Sequence, residues 1–147
     1  MLPNSDQITS LLGDCSLDHI AIAVTNLEAS IQFYEQLGIA FLPDREVVVD
    51  QKVKVAFAPI DKLAKMELLE STSEDGPIAK FIRDRGAGMH HLCFLVPNLE
   101  KKQKELEDKG VRFLYQKGQI GAHQRMVNFI HPKSTGGVLI ELSQKLS

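Results

Sequence analysis

The chain has 147 residues, 44% of them hydrophobic and 24% charged, with a net charge of −2. That composition describes an ordinary globular chain with room for one substantial core, and it offers no clustered basic face of the kind a nucleic-acid binder presents. No run approaches the roughly 18 apolar residues that span a bilayer, Met1–Asp14 lacks the basic-then-apolar order of a secretion signal, and Cys15 and Cys93 read as reduced thiols, so the expectation is a cytoplasmic protein with no nucleic-acid or membrane partner.

In chain order, residues 1–16 read as a polar leader with one apolar patch, Ile8–Leu12, of a helical turn or two. His19–Val24 is an apolar run of strand length, and Thr25-Asn-Leu-Glu28 has the spacing of a capping box that opens a helix. Leu27, Ile31 and Tyr34 share one face of that helix, and Gly38 stops it. Ile39–Val49, Lys52–Ala58 and Lys65–Glu70 follow as strands. Asp75-Gly76-Pro77 opens a linking helix that carries Ile78, Phe81 and Ile82, and Gly86-Ala87-Gly88 ends it. The order then recurs: strand His91–Val96, a helix from Pro97-Asn98 with Leu99 and Leu106 inward and Glu100–Glu107 solvated, Gly110 as its stop, and strands Val111–Gln116, Arg125–His131 and Val138–Ser143.

The recurrence is written in the residues themselves. Leu17–Leu42 set against Met89–Leu114 matches at nine of 26 positions, among them His19/His91, Asn26/Asn98, Leu27/Leu99 and Gly38/Gly110. Lys65–Leu68 answers Leu139–Leu142 near the end of each copy, so Glu67 pairs with Glu141. The spacing exceeds the roughly 20–50 residues of solenoid and propeller repeats, which makes each copy one β-α-β-β-β unit. The expected class is therefore α+β: modules 17–71 and 89–142, joined by a helical linker 72–88, form a single domain 17–142 around a metal-binding cleft.

Side chains alternate along a strand, so Glu67 and Glu70 should face opposite ways, as should His90 and His91. Duplication selects His91 over His90 as the partner of His19. A lone histidine at a strand end is ordinarily a turn or hydrogen-bonding residue, and a lone glutamate in a strand is ordinarily solvated. Their pairing is what marks them as a ligand set. Glu141, inside Val138–Leu142, would be costly to bury unless paired or bound to a metal. Two imidazoles and two carboxylates suit a borderline divalent ion such as Mn, Co, Ni or Zn, and they leave coordination positions open to water or substrate. His90 reads as a core or supporting group, His123 as a loop residue, and His131 as the shaper of a turn before Pro132. Lys133, Ser134 and Gly136-Gly137 read as a turn feeding the last strand. No Gly-x-Gly-x-x-Gly or P-loop spacing is present, so no dinucleotide or NTP site is expected.

The paired modules with their His/Glu/His/Glu pattern resemble the vicinal oxygen chelate (glyoxalase-like) superfamily. Within it, Asp18–Val24, Gly76–Phe81, Gly88–Leu92 and above all His131–Leu142 are similar to methylmalonyl-CoA epimerases, a likeness that runs from about Leu17 to Leu142. The resemblance implies one divalent metal ion (Co, Mn, Ni, Zn or Mg) held by His19, Glu67, His91 and Glu141, an acyl-CoA thioester substrate, and a homodimer. The implied reaction interconverts (R)- and (S)-methylmalonyl-CoA by removal and return of the α-proton through a metal-stabilised enolate. Proton transfer on two faces needs two groups unless one swings across. Glu141 is the first candidate base. Lys54, aligned with a non-ligand glutamate of some epimerases, is the second; it could serve only with its pKa lowered by burial or a nearby cation, and a substrate-attracting charge or a solvated strand residue are its other readings. The runner-up function is glyoxalase I, which uses the same pattern on a glutathione hemithioacetal. A metal-free small-molecule-binding protein and an iron dioxygenase with only three ligands fit the retained four residues less well.

Overall fold

Each apolar run that opens a copy folds as a strand, β1 over Ser16–Ala23 and β5 over Gly88–Leu95. The computed structural model describes residues 15–146, so the patch at Ile8–Leu12 lies outside it. The chain forms two units, one from His19 to His91 and one from the chain up to Asp18 together with Leu92 onward.

In the first unit β1 is followed by α1 (Leu27–Gln36), β2 (Glu46–Val48), β3 (Val53–Pro59), β4 (Lys65–Ser71) and α2 (Pro77–Arg85). Strand β4 runs parallel to β1, with Glu67 beside Ala21, and antiparallel to β3, with Glu67 beside Phe57. Alternation divides the side chains between two layers. Ala21, Ala23, Val53, Val55, Phe57 and Leu69 cluster with Ile78 of α2, whereas Ala56 and Leu68 cluster with Val24, Leu27 and Ile31 beneath α1.

The start of α1 differs from the expected capping box. Asn26, not Thr25, is the N-cap, its side-chain oxygen accepting from Ala29 N at 3.0 Å, and Glu28 bonds Arg45 instead of reaching back. Glu70 reaches across from β4 to accept the Leu27 amide at 2.6 Å. At the other end Gly38 adopts φ +90, which its missing Cβ permits. The predicted strand Ile39–Val49 shrinks to β2. Pro43 lacks an N–H to offer a ladder, and the Arg45 guanidinium bonds the Leu42 and Pro43 carbonyls instead.

The second unit repeats this scheme with α3 (Leu99–Glu107), β6 (Gln119–Ile120), a 3-10 turn (Ala122–Gln124), β7 (Met126–Ile130), the short helix α4 (Pro132–Thr135) and β8 (Ile140–Gln144). Strand β8 runs parallel to β5, with Glu141 beside Cys93, and antiparallel to β7, with Glu141 beside Phe129. Val96, Leu99, Ile130 and Leu142 form its core. Asn98 caps α3 through Lys101 N, and Gln144 accepts the Leu99 amide at 2.8 Å, the counterpart of the Glu70 bond. Val111–Gln116 is no strand. Only Phe113 bridges to Ile130, and the fully buried Asn128 takes over the ladder's role, accepting from Tyr115 N and donating to the Tyr115 carbonyl and to Gln103.

Candidate metal centre

Within the first unit, period-two alternation carries His19 to the same face of β1 as Ala21 and Ala23, and Glu67 to the same face of β4 as Leu69. Both are buried, at 5% and 6% exposure, and His91 in the middle of β5 is buried at 8%. Their polar atoms converge: His19 Nε2 lies 3.1 Å from His91 Nε2 and 3.3 Å from Glu67 Oε2. The two rings meet edge to face, 5.2 Å between centroids.

This donor set fits a divalent ion. Two nitrogens bonded to one ion at about 2.1 Å and at a right angle stand about 3 Å apart, and the Nε2 atoms have that separation. A carboxylate oxygen beside two imidazole nitrogens is the mixed set that borderline metals take, and its burial in three polar side chains would otherwise be expensive. Glu141 lies in the second unit. It is buried at 8% on β8, and alternation turns it away from the Ile140 and Leu142 side chains that pack beneath α3.

Lys54 stands on the other face of the sheet. On β3 it stands between Val47 and Glu70, on the face shared with Ala56, Leu68 and α1, opposite the face that carries Glu67. Its charge is felt by Glu28 of α1, whose carboxyl is held below the usual range chiefly by the Arg45 hydrogen bond, with Lys54 adding to the pull. The residues of β3 on the Glu67 face are the apolar Val53, Val55 and Phe57.

The other histidines separate clearly. His131 caps α4, its Nδ1 accepting from Lys133 N at 3.1 Å, which is the turn role expected of it. His123 sits in the 3-10 turn at φ 55, a left-handed conformation. His90 is half-buried, its ring edge-on to Phe81 at 4.8 Å and its Nδ1 2.9 Å from Nδ1 of His91. Sequence reasoning missed an ion pair in the second unit between the buried Asp18 and the half-buried Arg125, at 2.7 Å. Its only trace in the sequence was an acidic residue at the start of an apolar strand.

Residues 18–129 match the Glyoxalase/Bleomycin resistance protein/Dioxygenase superfamily. The chain belongs to that superfamily. Within this glyoxalase superfamily it is 38% identical over 141 residues to the human protein "Methylmalonyl-CoA epimerase, mitochondrial", covering 95% of this chain and 80% of the relative. The solved structure of methylmalonyl-CoA epimerase from Mycobacterium tuberculosis matches with a TM-score of 0.83 at 35% identity, covering 89% of this chain and 88% of that one. A methylmalonyl-CoA epimerase in complex with methylmalonyl-CoA and NH4+ matches with a TM-score of 0.85 at 32% identity, covering 92% and 97%. The glyoxalase-like α+β fold of repeated modules, expected from the duplication, is thereby borne out.

Proposed function

We propose that the protein is a metal-dependent epimerase that interconverts (R)- and (S)-methylmalonyl-CoA. The observation that carries this reading is the convergence of His19, His91 and Glu67 on one sheet face, in a chain whose likeness to methylmalonyl-CoA epimerases extends over nearly its whole length. His19, Glu67 and His91 would hold the ion. Glu141 is the fourth proposed ligand, as the counterpart of Glu67 in the other copy. The metal, when bound, supplies Lewis acidity toward the negative charge that develops on substrate oxygen.

The chain's own residues then have to move a proton from one face of the α-carbon and return it to the other. Glu141 is the proposed base on one face. With Lys54 turned to α1, the duplication supplies its replacement: Glu67 is the counterpart of Glu141 in the other copy and is the second base proposed. Both are buried carboxylates: one takes the proton from its face of the α-carbon, and the other, protonated, delivers a solvent-exchanged proton to the opposite face. We further propose that the enzyme works as a cytoplasmic homodimer on an acyl-CoA thioester; the family resemblance supports assembly, and no helix among the described residues is long and apolar enough to cross a membrane.

One experiment tests the reading. Either epimer of methylmalonyl-CoA, incubated with the metal-loaded protein in deuterated water, should acquire deuterium at the α-carbon and lose optical purity. Glu67→Gln and Glu141→Gln should each stop exchange from one epimer and leave exchange from the other. Inertness toward the thioester, together with turnover of the methylglyoxal–glutathione adduct, would transfer the site to glyoxalase chemistry.

A further inference from the structure

We infer that His90 is a positioning residue that fixes the proton of His91 on Nδ1 and thereby directs the Nε2 lone pair of His91 toward the metal position, an inference that rests on the metal-site reading above. Both ring nitrogens of His91 are engaged by other imidazoles: Nε2 stands 3.1 Å from His19 Nε2, and Nδ1 stands 2.9 Å from His90 Nδ1. A neutral imidazole carries one N–H and one lone pair. For His91 to offer Nε2 to a cation its proton must sit on Nδ1, where His90 Nδ1 is the acceptor in reach. His90 then keeps its own proton on Nε2. In the metal-free protein the proton shared between the two Nε2 atoms belongs to His19, which donates to His91.

Strand alternation does not prevent this contact, although it separates the directions of the two Cβ atoms. Nδ1 is the ring nitrogen nearer the backbone, so neighbouring residues can bring these atoms together while their far ring edges diverge. The His90 ring is itself held in place. It lies edge-on to Phe81 of α2, at an interplanar angle of 78°, and the Arg85 guanidinium sits over Phe81 at 5.8 Å from its centroid. The linking helix thus serves as a backstop for the ring that orients a ligand. A donor set of neutral imidazoles gains affinity when each ring is fixed in tautomer and rotation by an acceptor on its other nitrogen.

Two variants separate this role from simple ring stacking on Phe81. His90→Phe keeps an aromatic ring against Phe81 and removes the acceptor, whereas His90→Asn removes the ring and supplies an amide oxygen close to where Nδ1 stood. Titration of the full-length protein with Mn2+ and Zn2+ should show His90→Phe weakened about 10–100-fold, with His90→Asn recovering most of the loss. Nitrogen NMR of the imidazoles in metal-free wild-type protein should place the His91 proton on Nδ1, and in His90→Phe the two tautomers should mix. Wild-type affinity in His90→Phe, or a His91 proton found on Nε2 in wild-type protein, would overturn the inference. A wild-type protein that binds neither ion would instead overturn the metal-site reading, with the tautomer of His91 still deciding the role of His90.

Discussion

Lys54 and Glu70 stand opposite one another on β3 and β4, and a single step along either strand reaches the other face of the sheet. That step decides their roles. Glu67 meets His19, whereas Glu70 accepts the first amide of α1. Lys54→Met should accordingly keep the kcat and KM of the parent in the epimerase assay, and a loss of turnover would return the lysine to the chemistry. Glu70→Ala should spare metal affinity while costing about 1–3 kcal/mol in urea unfolding, because the Leu27 N–H loses its partner in a half-buried setting. The ligand candidates were readable in the sequence because duplication names them in pairs. The face of Lys54 was not legible in the sequence, because a shift of one residue in register inverts every side chain of a strand. Asp18 and Arg125 were unreadable together, since only the folded chain brings them to 2.7 Å.

Among the elements, the helices follow the repeat most faithfully. Asn26 and Asn98 cap α1 and α3 alike, and replacing either with alanine should lower stability by about 1 kcal/mol in thermal or urea unfolding. The first expectation put the cap at Thr25 because a Thr-x-x-Glu spacing is a familiar start signal, but Glu28 is taken by Arg45. The strands predicted after each helix were the least readable parts, because side chains of Arg45 and Asn128 satisfy backbone groups that a ladder would otherwise hold. The segment leading into α2 carries its own pH signature. A hydrogen bond from the Lys52 ammonium, reinforced by the Ser73 hydroxyl, lowers the Asp75 carboxyl from an ordinary 3.8 to about 2. A carboxyl depressed on folding stabilises the fold above its ordinary value and loses that contribution as the pH falls toward its folded value. The stability difference between parent and Lys52→Met should therefore be present at neutral pH, shrink below about pH 4, and vanish near pH 2.

For the whole molecule, duplication explains why one set of devices appears in both units: a capped helix over an apolar strand layer, a glycine stop, and a side chain from the last strand bonded to the first helical amide. It does not explain their differences. The buried Asp18 pairs with the half-buried Arg125 in the second unit, and removing the arginine takes the countercharge from a carboxylate held away from water. Arg125→Ala should cost about 3–5 kcal/mol by thermal unfolding, far more than loss of the exposed Lys80–Asp84 pair, which should be nearly silent.

Strand β4 has a further consequence, one for assembly of the sheet. It presents a carboxylate to each face three residues apart, one to the histidines and one to the Leu27 amide. Slippage by one residue would swing Glu67 under α1 and Glu70 toward the imidazoles, and slippage by two would keep the faces but move both carboxylates by about 6–7 Å. The two acids thus act together as a checksum on registration, passing one alignment of β4 and penalising its neighbours. Length changes should be tolerated in the turn Ile60–Ala64, which lies outside the strands, and rejected when made between Glu67 and Glu70.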